Sequence, residues 1–74
     1  MKNLMELFEE YRKKTGLSMN QLADLVGIDV SYYSRLVNGH RESLNIIVAA
    51  EVTKTLNVPP KLFLESIGID DWIN

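Results

Sequence analysis

Apolar residues recur along this chain at helical spacing, and each recurrence ends at a residue that turns the backbone. Leu4, Leu7, Phe8 and Tyr11 follow an i, i+3, i+4, i+7 order, which predicts an amphipathic helix over about residues 2–14. Glu6, Glu9 and Glu10 lie off that stripe, while Arg12, Lys13 and Lys14 fill the last turn, where cations suit the negative end of the helix dipole, and Gly16 closes it. Ser18 with Gln21 three residues on has the form of a capping box, so a second helix is predicted over 19–26. Its apolar face is Leu22, Ala23, Leu25 and Val26, and Gly27 stands where a left-handed residue ends a helix. Asp29 can cap a third helix over 30–37, with Tyr33, Leu36 and Val37 turned to the core and Asn38-Gly39 as its stop.

The second half is less regular. Ser43 and Asn45 compete as the next cap. The Asn45 register places Ile46, Ala49, Ala50, Thr53 and Leu56 on one face, whereas a Leu44, Ile47, Val48 register runs into Glu51. The first is adopted, giving a fourth helix over 46–56. It leaves Ile47 and Val48 partly outward, either as an apolar patch for a partner or beneath the C-terminal tail. Asn57-Val58-Pro59-Pro60 breaks the chain, and Pro60 suits the first turn of a fifth helix over 60–67, buried through Leu62, Phe63 and Ile67 and closed by Gly68. The remaining Ile69-Asp70-Asp71-Trp72-Ile73-Asn74 is too short for an element of its own. With a Trp and two Ile it either folds back on the body or meets a second subunit. The reading is an all-α, compact five-helix domain over 1–68 with a short tail over 69–74.

Composition sets limits on this picture. Seventy-four residues make one domain at most, and 46% hydrophobic with 24% charged residues is the balance of a folded globule. There is no cysteine, hence no disulfide framework or thiolate metal site, and no secretory or bilayer-length apolar run, which makes the cytoplasm the expected location. The net charge of -2 is unusual for a nucleic-acid binder. It is unevenly placed, however. Between Tyr11 and Arg41 the bases Arg12, Lys13, Lys14, Arg35 and Arg41 outnumber the acids Asp24 and Asp29, and the excess acid lies elsewhere. Charges more than about 10 Å apart are largely screened at 0.1 M salt, so a basic face can meet phosphate while acids lie behind it.

Catalytic chemistry finds little support. Glu9 and Glu10 are adjacent on a helix and point about 100° apart, so they do not converge. Ser31 and Ser34 have no evident base, and a lone His40 without cysteines cannot supply the three or four ligands of a metal site. No cofactor and no metal are expected.

Binding chemistry concentrates in the third helix. Opposite its core side lie Ser31 and Arg35, spaced i and i+4 and flanked by Ser34 and Tyr32: short hydrogen-bonding groups near the N-terminus with a forked guanidinium behind them, the equipment of a groove-reading helix. Around it, Leu17, Ser18, Gln21, Leu22, Ala23, Gly27, Ile28, Ser34, Arg35, Leu36, Asn38 and Gly39 together resemble the helix-turn-helix of the Xre-type, lambda-repressor-like (Cro/CI) family over about the first sixty residues.

The resemblance implies a sequence-specific double-stranded DNA-binding regulator, a repressor in its commonest form, that reads the major groove with residues 30–37. On that basis Val30 meets a thymine methyl, Ser31 and Ser34 bond base edges, and Arg35 grips guanine. Ser18 and the amides of Met19 and Asn20 face phosphate, although Met19 replaces the glutamine common in the family. Tyr32 reaches sugar or phosphate. Asn38 either donates to phosphate or only stops the helix. His40 and Arg41 stand where the family has basic side chains near the DNA backbone, and Arg41 is the better candidate.

Arg12 and Lys14 belong either to a solvated helix end or to the phosphate contacts. In the family the residue matching Arg12 commonly pairs with an acid, but Val37 occupies that place here, so Arg12 either finds another partner or stays open to phosphate. The resemblance further implies a homodimer, at least on DNA, on a palindromic operator, with the dimer surface drawn from the last two helices and the tail. From another class, a protein-binding module or an antitoxin-like partner protein on the same fold is the rival expectation.

Overall fold

In a computed structural model that describes residues 3–39 and 44–67, the chain forms α1 (Leu4–Thr15), α2 (Met19–Val26), α3 (Val30–Val37), α4 (Ile46–Thr55) and α5 (Pro60–Ile67). Among the described residues there is no strand. The all-α, five-helix expectation holds. The expectations for Ser43, Gly68 and the tail over 69–74 lie outside the described residues.

The starts of α1 to α4 are each made by a side chain standing in for the missing turn. Asn3, rather than the N-terminal lysine region, starts α1: its carbonyl accepts from the Glu6 amide at 2.9 Å and its amide donates to the Glu6 carboxylate at 2.7 Å. The first helix therefore runs two residues later than expected at its start and one residue longer at its end. Ser18 and Gln21 form the expected capping box, with reciprocal bonds of 3.0 and 2.9 Å. Asp29 and Asn45 cap α3 and α4 by accepting from the amides two residues on. Replacing such a cap by alanine typically costs about 0.5–2 kcal/mol.

Between α2 and α3 the chain reverses at Gly27, whose φ of +84° is a left-handed conformation that a side chain makes costly. The amides of Gly27 and Ile28 both return to the Ala23 carbonyl, which closes the end of α2 within the three residues that separate it from α3. At the end of α4 the same geometry falls on Asn57, the one non-glycine residue with positive φ among the described residues. There the Val58 amide bonds the Thr53 carbonyl and the Asn57 amide bonds that of Lys54, a Schellman closure.

The core is built from Leu4, Leu7 and Phe8 of α1, Leu22 of α2, Tyr33 of α3, and Ala49, Val52, Leu56 and Val58 from α4 and its exit. α2 packs on both α3 and α4, and α1 on both α3 and α5. Buried alanines on facing helices, Ala23 and Ala49, keep bulk out of the way.

Two expected faces are rotated. In α2, Leu25 is 64% exposed, so the inward side is Leu22 and Ala23 with Val26 half-buried. In α4 the buried row is Ala49, Val52, Thr53 and Leu56, while Ile46 (62%) and Ala50 face solvent. The i, i+3, i+4, i+7 row has to begin at the alanine for α2 to approach closely, and Ile46 is then carried outside. Thr53 remains tolerable inside because its hydroxyl donates to the Ala49 carbonyl at 2.8 Å. The helix itself closes at Thr55, with Leu56 as its cap. Ile47 is outward as expected, at 70%, whereas Val48 packs partly against the core. On α5, Leu62, Phe63 and Ile67 are half-buried against the core rather than enclosed by it.

Candidate nucleic-acid interface

The outward side of α3 follows from its inward side. Tyr33 and Leu36 are buried and Val37 half-buried, so the 100° step leaves Ser31 and Arg35 exposed, with Val30, Tyr32 and Ser34 at the half-buried margins. The structure thus puts Ser31 and Arg35 where the sequence predicted them, and shows Val30 and Ser34 less open.

Hydrogen bonds orient two of these hydroxyls. Ser31 donates its hydroxyl to Asp29 Oδ1 at 2.9 Å, and its amide donates to the same oxygen at 3.1 Å. A carboxylate only accepts, so the Ser31 oxygen is left presenting lone pairs outward. The Ser31 amide first, then its hydroxyl and the charge of Arg35, hold the Asp29 carboxyl below the usual range. Ser34 is placed in the opposite sense: its hydroxyl oxygen accepts from the Asn38 side-chain amide at 3.2 Å, which leaves its proton to donate. Asn38 is therefore both the cap of α3 and an orienting group for Ser34.

Tyr32 has a role that the sequence did not reveal. Its phenol oxygen accepts from the Asn45 amide at 3.3 Å, tying the side of α3 to the start of α4. At the start of α2, Ser18 and Asn20 are exposed, and Ser18 uses its oxygen on the Gln21 amide. Met19 is half-buried and packs against the core.

The two cations singled out in the last turn of α1 have different fates. Of the two possibilities left by the sequence, Arg12 takes the paired one. Its Nε and Nη2 donate to both oxygens of Glu9 at 2.7 and 2.8 Å, and Nη1 donates to the Leu17 carbonyl at 2.7 Å. Its side chain is only 13% exposed. A guanidinium engaged on three sides is a poor phosphate ligand, and Arg12 leaves the set of candidate contacts. Lys14 remains open: it lies 4.9 Å over the Tyr11 ring and 3.5 Å from Glu10, an exposed pair of the kind that contributes little.

Glu9 also accepts from the Tyr33 phenol at 2.8 Å. Hydrogen bonds from Arg12 first, then from Tyr33, hold the Glu9 carboxyl below its ordinary range, and burial pushes the Tyr33 phenol up. Neither Glu9 nor Tyr33 stood out as polar partners in sequence. The i, i+3 spacing of Glu9 and Arg12, and the need of any buried tyrosine for a hydroxyl partner, were the available signals.

His40 and Arg41 lie outside the described residues. Among those described, no group of acidic or imidazole side chains could hold a metal ion, and no helix is long and apolar enough to cross a membrane. The sequence model of a family described as helix-turn-helix matches residues 8–63, which takes in α1 from Phe8 to the middle of α5. No curated protein and no solved structure gave a match.

Proposed function

We propose, from the premise that the chain belongs to the Xre-type (Cro/CI-like) helix-turn-helix family of DNA-binding regulators, that it recognises a specific duplex sequence with α3 and acts in the cytoplasm as a repressor. The observation that carries this reading is the exposed Ser31 and Arg35 pair on α3, backed by a buried side that fixes which way they point.

In this reading α3 enters the major groove by its N-terminal end. Arg35 grips guanine O6 and N7 as a fork, and Val30 meets a thymine methyl with its open edge. The Ser31 oxygen, its proton engaged on Asp29, accepts from an exocyclic amine of adenine or cytosine; the Ser34 hydroxyl donates to a purine N7 or a carbonyl oxygen. The phosphate contacts come from Ser18 and the leading amides at Met19 and Asn20, from Tyr32, Asn38 and Lys14, and from His40 and Arg41. The reading domain is residues 1–68.

One such module covers little DNA, so two copies act on a palindrome with half-sites about 10 bp apart or a multiple of it. Regulation then comes from the chain's own concentration, a second protein or proteolysis. A second reading is favoured by Ile46 and Ile47, both more than half exposed at the start of α4: a protein-binding or antitoxin-like module that uses this apolar pair on the same fold.

Titration of labelled random and genomic duplexes at low salt separates the two. The DNA reading expects a shift below micromolar protein that weakens steeply with salt, and Lys14→Ala lowers the salt slope by about one unit on every sequence. No shift at micromolar protein favours the protein-binding module.

A further inference from the structure

We propose that Glu9, Arg12 and Tyr33 form a positioning network that fixes α3 against the start of α2, so that an acid remote from the DNA-facing side governs how well the chain discriminates between sequences. The inference rests on the DNA-binding reading above and deepens it.

The network is continuous. Tyr33, 1% exposed on the inward side of α3, donates to Glu9 Oε2; Glu9 holds Arg12 through both of its oxygens; and Arg12 reaches the Leu17 carbonyl. The Leu17 amide returns to the Arg12 carbonyl at 3.3 Å, which closes a ring around the turn between α1 and α2. The next residue is Ser18, the cap of α2. An unbroken series of directional bonds therefore runs from the middle of α3 to Leu17, the residue before the cap of α2.

Those two places have separate tasks on one duplex. The start of α2 meets phosphate while the outward side of α3 meets bases, and both engage only if their separation and relative rotation match the groove. Apolar packing of Phe8, Leu22 and the Tyr33 ring brings the helices together but is non-directional. Tyr33 sits between Ser31 and Ser34 in sequence, so a roll of α3 about its axis that breaks the phenol bond swings Ser31, Ser34 and Arg35 with it. Functional groups need to be held within about 0.5 Å and 10–20° for productive geometry, and locked second-layer hydrogen bonds are the means. The carboxylate has a second consequence. By engaging Arg12 it withdraws a cation from indiscriminate phosphate contact, favouring sequence discrimination over bulk attraction.

The experiment uses the full chain and two probes: a duplex selected by the wild-type protein from a random pool, and a random-sequence duplex of equal length. Tyr33→Phe, Glu9→Gln and the double variant are compared at a temperature where circular dichroism shows all of them folded. Each single substitution is expected to lower the selected-to-random affinity ratio by about 5–10-fold, the upper part of the net range of one ordinary hydrogen bond. The double variant loses no more than the worse single one, because Tyr33 acts only through Glu9 and both substitutions interrupt the same Tyr33–Glu9–Arg12 series. On random duplex, Tyr33→Phe stays within about twofold of wild type while Glu9→Gln binds more tightly and with a steeper salt slope, since Arg12 has lost its carboxylate.

A purely structural role lowers the melting midpoint but leaves the ratio of the folded protein unchanged. That result, or fully additive losses in the double variant, overturns the proposal with the DNA reading intact. A wild-type chain that selects no sequence overturns the reading and the proposal together.

Discussion

α3 and α4 begin alike and expose opposite surfaces. Each starts on an Asx side chain whose oxygen accepts from the amide two residues on, Asp29 from Ser31 and Asn45 from Ile47. Past the cap, α3 presents Ser31 and Arg35 to solvent, whereas α4 presents Ile46 and Ile47. The same backbone device thus serves two purposes. One helix start offers directional donors and acceptors suited to base edges, and the other offers apolar area suited only to another protein surface or to a covering segment. The two are mechanically joined, because the Tyr32 phenol on α3 accepts from the Asn45 amide that begins α4.

The largest expected effect tests the inward half of this contrast. Leu56→Ala should destabilise the fold by about 2–5 kcal/mol, the range for a buried leucine, while Ile46→Ala should stay within about 0.5 kcal/mol in the monomer, as exposed positions do. Chemical denaturation measures both, and equal losses would mean that the helix packs in the register first expected from sequence. Next comes the outward half of α3. Arg35→Ala should cost about 1–3 kcal/mol on a selected duplex and flatten the preference at one base pair. Equal losses on selected and random DNA would remove its base-reading role.

A smaller effect is expected at the far end of α4. Asn57 holds a left-handed conformation, which asparagine tolerates better than alanine, so Asn57→Ala should lower stability by about 1 kcal/mol with no change in DNA preference. Glu9 adds no pH dependence near neutrality but does add one in acid. Its folded-state carboxyl is depressed, first by Arg12, so its contribution to stability is complete above the carboxylate's unfolded value. That contribution is lost as pH falls through the folded one. An acid titration of the melting midpoint should therefore be shallower in Glu9→Gln than in wild type, and parallel curves would contradict the pairing.

How far the sequence could be read follows the same division. Wherever a helix was bounded by a residue with one strong local use, its place was legible: Ser18 with Gln21, Gly27, Asp29, Asn45 and Pro60 each mark a boundary within one residue of the observed one. The face of α3 was legible too, because Tyr33 and Leu36 leave a single polar side. The face of α4 was not. Its apolar residues run through Ile46, Ile47, Val48, Ala49, Ala50 and Val52, so periodicity alone admits several registers, and the choice is made by where α2 packs on it. Leu25 misled for a related reason: an eight-residue helix is too short for its pattern to say how wide the buried stripe is. The partner of Arg12 was hidden because a role expected across helices is filled within α1 by Glu9, with Tyr33 as the cross-link to α3.

The measurement that bears most directly on the whole account is an amide chemical-shift titration with duplex DNA. The account predicts perturbations concentrated at residues 18–20 and 30–38, with the Ile46 and Ile47 amides following only through the Tyr32–Asn45 link. Perturbations confined to α4 and α5, with residues 30–38 unmoved, would contradict it.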